Sequence, residues 1–131
     1  MFGETEAERD SILIVEDEAP LLRLFKTVVE YILPNHEIVE ANGGAAAIQH
    51  LQKEAAPRVM VLDLAMPYVD GNMVLEYMAD DPRFKDTRVI IVTAASNRLQ
   101  KEFRDRVDTI LTKPVTPRDL EREIQRCLLP A

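Results

Sequence analysis

The chain has 131 residues, of which 47% are hydrophobic and 30% charged, with both signs spread along its length, so it has material for one continuous core and not for two domains. A formal net charge of −7 and the absence of any basic run with interleaved aromatics argue against direct binding of nucleic acid. No apolar run approaches the roughly 18 to 20 residues that cross a bilayer, and the acidic start MFGETEAERD is unlike a secretory leader, so the expected setting is the cytoplasm and the expected state a monomer or weak dimer.

Residues 1–10 read as a tail, and one domain is expected over 11–129. Five short apolar runs rich in β-branched residues read as strands: Ile12 to Val15, Glu37 to Val39, Val59 to Leu62, Val89 to Val92 and Thr109 to Leu111. Helical spacing fills the gaps. The first helix carries Leu21, Phe25, Val28 and Ile32, and Asn42, Gly43 and Gly44 then break the chain ahead of a second from about Ala45 to Glu54. Asp70 and Gly71 precede a third from Asn72 to Met78, which Asp80, Asp81 and Pro82 end. Thr116 and Pro117 open the last, with Leu120, Ile124 and Cys127 or Leu128 on its apolar face. Three strands are almost wholly apolar, as in a sheet covered on both sides, so the reading is an α/β fold with a doubly wound parallel sheet built from five βα units.

In such a sheet ligands bind beyond the carboxyl ends of the strands. There the first strand ends in Glu16 and Asp17, the third in Asp63, the fourth in Thr93 and the fifth in Lys113 followed by Pro114. Any one of these has an ordinary reading as a cap, a turn or a solvated charge. Three carboxylates meeting at one point would repel and raise one another's pKa unless a cation lay between them. With only oxygen ligands and no histidine or cysteine nearby, the expected ion is Mg²⁺. Lys113 and Thr93 offer a cation and a donor for phosphoryl oxygens, and Asp63, between them and the acidic pair, is the candidate nucleophile.

The motifs ILIVEDE at 12–18, VLDLAMPYVDG at 61–71, IIVTA at 90–94 and TKP at 112–114, in this order at successive strand ends, make the chain resemble the receiver domains of two-component response regulators over 11–129. The resemblance implies a flavodoxin-like (βα)5 fold with strand order 2-1-3-4-5 and phosphorylation of Asp63 by a sensor histidine kinase or phosphotransfer protein. It also implies Mg²⁺ held by Asp17, Glu16, the Asp63 carboxylate and the backbone carbonyl of Ala65, phosphoryl oxygens held by Thr93 and Lys113, and a cis peptide between Lys113 and Pro114. The expected output is a conformational switch read by a downstream protein on the face of the fourth helix, fifth strand and fifth helix, and no enzymatic action on outside substrates.

The chain departs from the family pattern in places. Glu16 replaces a common aspartate, and Ala65 and Ala95 are small where the family tunes phosphate lifetime. Ile110 takes the place of the switch aromatic, and the span from Thr93 to Lys113 is about two residues short, so a trimmed or shifted fourth helix and an atypical output surface are expected. Two other classes compete. An interaction module that is never phosphorylated is disfavoured by the intact site. A magnesium-dependent phosphatase would need an acid where Ala65 stands. Away from the strand ends, His36, His50 and the charge run Arg118, Asp119, Glu121, Arg122 and Glu123 read as solvated surface, Cys127 as a buried thiol, and Met66 and Met73 as packing.

Overall fold

A computed structural model describes residues 10–128; most of the expected tail and Leu129 lie outside the described residues. Five parallel strands, β1 (Ser11–Val15), β2 (Glu37–Ala41), β3 (Val59–Leu62), β4 (Arg88–Thr93) and β5 (Thr109–Thr112), form one sheet in the order β2-β1-β3-β4-β5. Among the described residues four α-helices cover it: α1 (Ala19–Ile32), α2 (Gly44–Lys53), α3 (Gly71–Ala79) and α4 (Pro117–Leu128). This is the doubly wound α/β fold read from the sequence.

The apolar strands fail to alternate because both faces are buried. Leu13, Val15, Met60, Leu62, Val89 and Ile91 point into one core beneath α2 and α3, while Ile12, Ile14, Val59, Val61, Ile90 and Val92 point into the other with α1 and α4. Each fully buried side chain of this size contributes about 1.5–3 kcal/mol. The inward stripe of α1 is Leu22, Phe25 and Val29, with Leu21, Val28 and Ile32 half-buried at its flanks.

The link from β4 to β5 contains no α-helix. Two 3-10 segments, Ser96–Arg98 and Lys101–Arg106, replace it, and Leu99 and Phe103 seal the first core from there. The shortened link accounts for this, because a 3-10 turn advances about 2.0 Å per residue against about 1.5 Å for an α-helix and so covers the sheet with fewer residues.

Several surface expectations need correction. Glu123 is buried, 5% exposed, because it shares the inward face of α4 with Leu120 and Ile124, and its carboxylate meets Arg126 at 2.9 Å and Arg122 at 3.4 Å. His36 and His50 are half-buried; His50 follows Ala47 by one helical turn and flanks the buried stripe of α2, with its Nε2 enclosed and without a hydrogen-bond partner. Cys127 is half-buried against the second core, where burial raises its thiol pKa. Met66 packs inside, but Met73 is exposed.

Candidate functional site

The site residues stand one step past the ends of the strands, where the ladder still holds them. Glu16 N–H donates to Ala41 O at 3.0 Å, Asp63 N–H to Val15 O at 3.1 Å and Lys113 N–H to Thr93 O at 2.9 Å. Three backbones from three strands are thus fixed before any side chain is considered, which is the condition for a preorganised site.

The side chains converge on Lys113. Its Nζ is 2.9 Å from Glu16 Oε1, 3.0 Å from Asp63 Oδ2 and 3.5 Å from Glu18 Oε2. Asp63 is buried, and its other oxygen accepts the Ala65 N–H at 3.1 Å. Burial draws the Lys113 pKa down, but its contacts with Glu16 and Asp63 outweigh this and hold it above the ordinary value. Glu16, 1% exposed, is raised from 4.5 to about 7, chiefly by burial, against the contact with Lys113. Its Oε2 accepts the Glu18 N–H at 3.2 Å. Its Oε1 is an ion-pair partner of Lys113, yet it is buried and takes no hydrogen bond of good geometry.

Asp17 completes the acidic group and is exposed. One oxygen each from Glu16, Asp17 and Asp63 can be chosen so that all three lie within 4.8 Å of one another. One lysine cannot balance these carboxylates together with Glu18. An under-bonded buried oxygen among close carboxylates fits a hard divalent cation, which takes oxygen ligands.

Thr93 is buried at the end of β4, and its hydroxyl accepts the Ala95 N–H at 3.1 Å. It joins the site through its carbonyl bond to Lys113. The Lys113–Pro114 peptide is cis. Ile110 pairs with Ile91 in β5 and is 39% exposed, beside a depression of about 300 Å³ shared with Leu99, Arg104 and Val107.

The loop after Asp63 is tight. Gly71 N–H donates to Leu64 O at 2.9 Å, and a Cβ on Gly71 would lie 2.5 Å from Asp63 O, so only glycine fits there without displacing the Asp63 backbone. Gly44 likewise leaves room for Val69. Val69 N–H donates to Pro67 O at 2.8 Å across Tyr68, which adopts φ 66° and is fully exposed. A tyrosine in this left-handed region is strained backbone held by its surroundings.

Sequence reasoning missed two participants. Glu18 was readable as the third acid of the run after β1. Asn72, buried at the start of α3, bonds the β4–β5 link 26 and 28 residues away, and no local pattern reports such a contact.

The model of the response regulator receiver domain family matches residues 12–125. The chain is 31% identical to the probable transcriptional regulator ycf27 of Pyropia yezoensis over 94% of its own length and 49% of that protein. It is 30% identical to response regulator Rcp1 of Synechocystis sp., covering 87% of this chain and 83% of Rcp1. The signal receiver domain of a putative Luxo repressor protein from Vibrio parahaemolyticus superposes with a TM-score of 0.77 at 28% identity, over 92% of this chain and 90% of that one. The chain spans about half the length of the first curated relatives it matches.

Proposed function

The chain belongs to the response regulator receiver domain family of two-component systems, and from that premise we propose that Asp63 accepts a phosphoryl group in a Mg²⁺-dependent reaction. The observation that carries this reading is the buried Asp63 carboxylate set between an under-bonded acidic group and Lys113. In the transfer, a carboxylate oxygen of Asp63 forms the new bond to phosphorus, and the bond from phosphorus to the donor atom breaks with its electron pair leaving on the donor. Glu16, Asp17, Asp63 and the Ala65 carbonyl would hold Mg²⁺, which when bound offsets negative charge on the phosphoryl oxygens. Lys113 Nζ holds a second oxygen by exchanging its contact with Asp63 for one with the phosphoryl group. The Thr93 hydroxyl, held by accepting the Ala95 N–H, donates its own hydrogen to a third.

The donor in this reading is a sensor histidine kinase or a phosphotransfer protein in the cytoplasm. No helix among the described residues is long and apolar enough to cross a membrane. The chain assists its own phosphorylation and is not an enzyme acting on outside substrates, since Ala65 offers no acid to protonate a leaving group. Phosphorylation turns the singly charged Asp63 carboxylate into an acyl phosphate with about one more negative charge and three acceptor oxygens, which biases the loops after β3 and β4. With Ile110 where an aromatic would turn inward, a downstream protein reads the altered β4–β5 link together with β5.

Intact-protein mass after incubation with Mg²⁺ and acetyl phosphate tests the proposal. Wild type gains one phosphoryl group; Asp63→Asn, or wild type given a chelator beforehand, gains none. No gain in wild type at short times and low temperature rejects it and leaves an interaction module.

A further inference from the structure

Asn72 is 7% exposed in the first turn of α3, next to Gly71. Its Nδ2 donates to Arg98 O at 2.9 Å, and its Oδ1 accepts the Gln100 N–H at 3.0 Å. The two partners fix the amide's orientation, because exchanging O and N would set donor against donor and acceptor against acceptor. Both bonds grip the junction between the two 3-10 segments, where the chain has no α-helix of its own to stiffen it.

Ordered contacts run from this clamp to both sides of the acceptor site. On one side Arg98 N–H donates to Ala95 O at 2.9 Å, and Ala95 N–H donates to the Thr93 hydroxyl at 3.1 Å. On the other, Gly71 N–H donates to Leu64 O at 2.9 Å, and Ala65 N–H donates to Asp63 Oδ1 at 3.1 Å. Asn72 therefore stands between the loop that carries Asp63 and the turn that carries Thr93, and the path closes where Lys113 bonds Thr93 through its backbone and Asp63 through its ammonium.

We infer that Asn72 is a positioning residue, whose bond to Arg98 sets the Thr93–Ala95 turn and thereby the Thr93 hydroxyl for phosphoryl uptake. The role in uptake rests on the acceptor reading of Asp63; the placement of the turn does not. Such a link is physical only if disturbing one end moves the other. The two bonds of the amide make that separable. Asn72→Leu removes both at similar volume. Asn72→Asp keeps an acceptor for Gln100 but sets an oxygen against the Arg98 carbonyl.

Residue-resolved amide hydrogen exchange on the full chain, with phosphoryl uptake by mass at saturating Mg²⁺, decides the matter. In Asn72→Leu the amides of Gln100 and Ala95 exchange roughly tenfold faster, while those within β3 and β4 keep their protection. In Asn72→Asp the Gln100 amide stays protected and the Ala95 amide is freed, although Ala95 does not touch residue 72. Uptake from acetyl phosphate falls about tenfold in both variants, because a hydroxyl held off its place loses a donor to the transferring group. An Asn72→Asp variant with an undisturbed Ala95 amide overturns the inference, and so does one with Ala95 freed and uptake at the wild-type rate. Absence of uptake in wild type, with Ala95 responding as described, overturns the acceptor reading and the role in uptake while upholding the placement of the turn.

Discussion

The acceptor end of the sheet and the edge formed by β5 and its incoming link are built on different terms. At the acceptor end Glu16, Asp63 and Lys113 are fixed by ladder bonds that continue past the strands, and the buried Glu16 and Asp63 carboxylates meet the half-buried Lys113 ammonium. At the edge an α-helix is replaced by 3-10 turns pinned through side chains to backbone: Asn72 to residues 98 and 100, Arg106 to Phe84 O at 3.2 Å, and Asp108 to the Val89 N–H at 2.8 Å. The phosphoryl transfer proposed at Asp63 needs atoms placed within fractions of an ångström, which strand ends supply. The edge has only to keep water from the core. It can be rebuilt with fewer residues as long as two apolar side chains still reach inward.

The strongest way to break this contrast is Phe103→Ala. Phe103 is 4% exposed and joins Leu99 in closing the first core from the link, so its removal leaves a cavity and costs about 3–5 kcal/mol in urea unfolding. A cost below about 1 kcal/mol would mean that the link is loosely laid over the sheet and seals nothing. At the acceptor end the corresponding change is Lys113→Met, which leaves Glu16 and Asp63 buried together without a cation. Removing one partner of a buried ionic group is costly, but Glu16 can take up a proton, so the expected loss is about 2 kcal/mol at pH 8 with chelator present. The loss should shrink on adding Mg²⁺, measured by the same urea unfolding. Equal stability with and without Lys113 would show that its contacts with Glu16 and Asp63 do not hold the fold together.

How far each region could be read from the sequence follows the same division. Strand ends are marked by where apolar runs stop, so Glu16, Asp17, Asp63, Thr93 and Lys113 could be named together. The β4–β5 link carries Leu99, Phe103 and Val107 at spacings of four, a helical signature, yet it forms 3-10 turns. The choice depends on the distance to be spanned across the sheet, and that is set by the packed structure. The run of charges around Glu123 masks a legible signal: residues 120, 123, 124 and 127 share one helical face, which turns a charge at 123 inward and calls for a partner. Asn72 was not legible, because an amide after a glycine says nothing of a carbonyl far along the chain.

The mildest probe separates the two regions by pH. Glu16 in the folded, metal-free protein titrates at about 7, against 4.5 for an ordinary glutamate, mainly because it is buried. Between those values the folded chain holds a proton that the unfolded chain has lost, so stability falls as pH rises from about 4.5 to about 7 and levels off above. Solvent reaching the site through Asp17 and Glu18 reduces the effect to on the order of 1 kcal/mol. Urea midpoints taken across this range in chelator should show the slope, and Glu16→Gln, with no proton to exchange, should flatten it. Mg²⁺ should flatten it too, since a cation among the three carboxylates restores the charged form of Glu16. Phe103→Ala, lowering stability by one amount at every pH, should leave the slope as it is. A slope that survives in Glu16→Gln would mean that another group carries the titration and that the burial of Glu16 is already offset by Lys113.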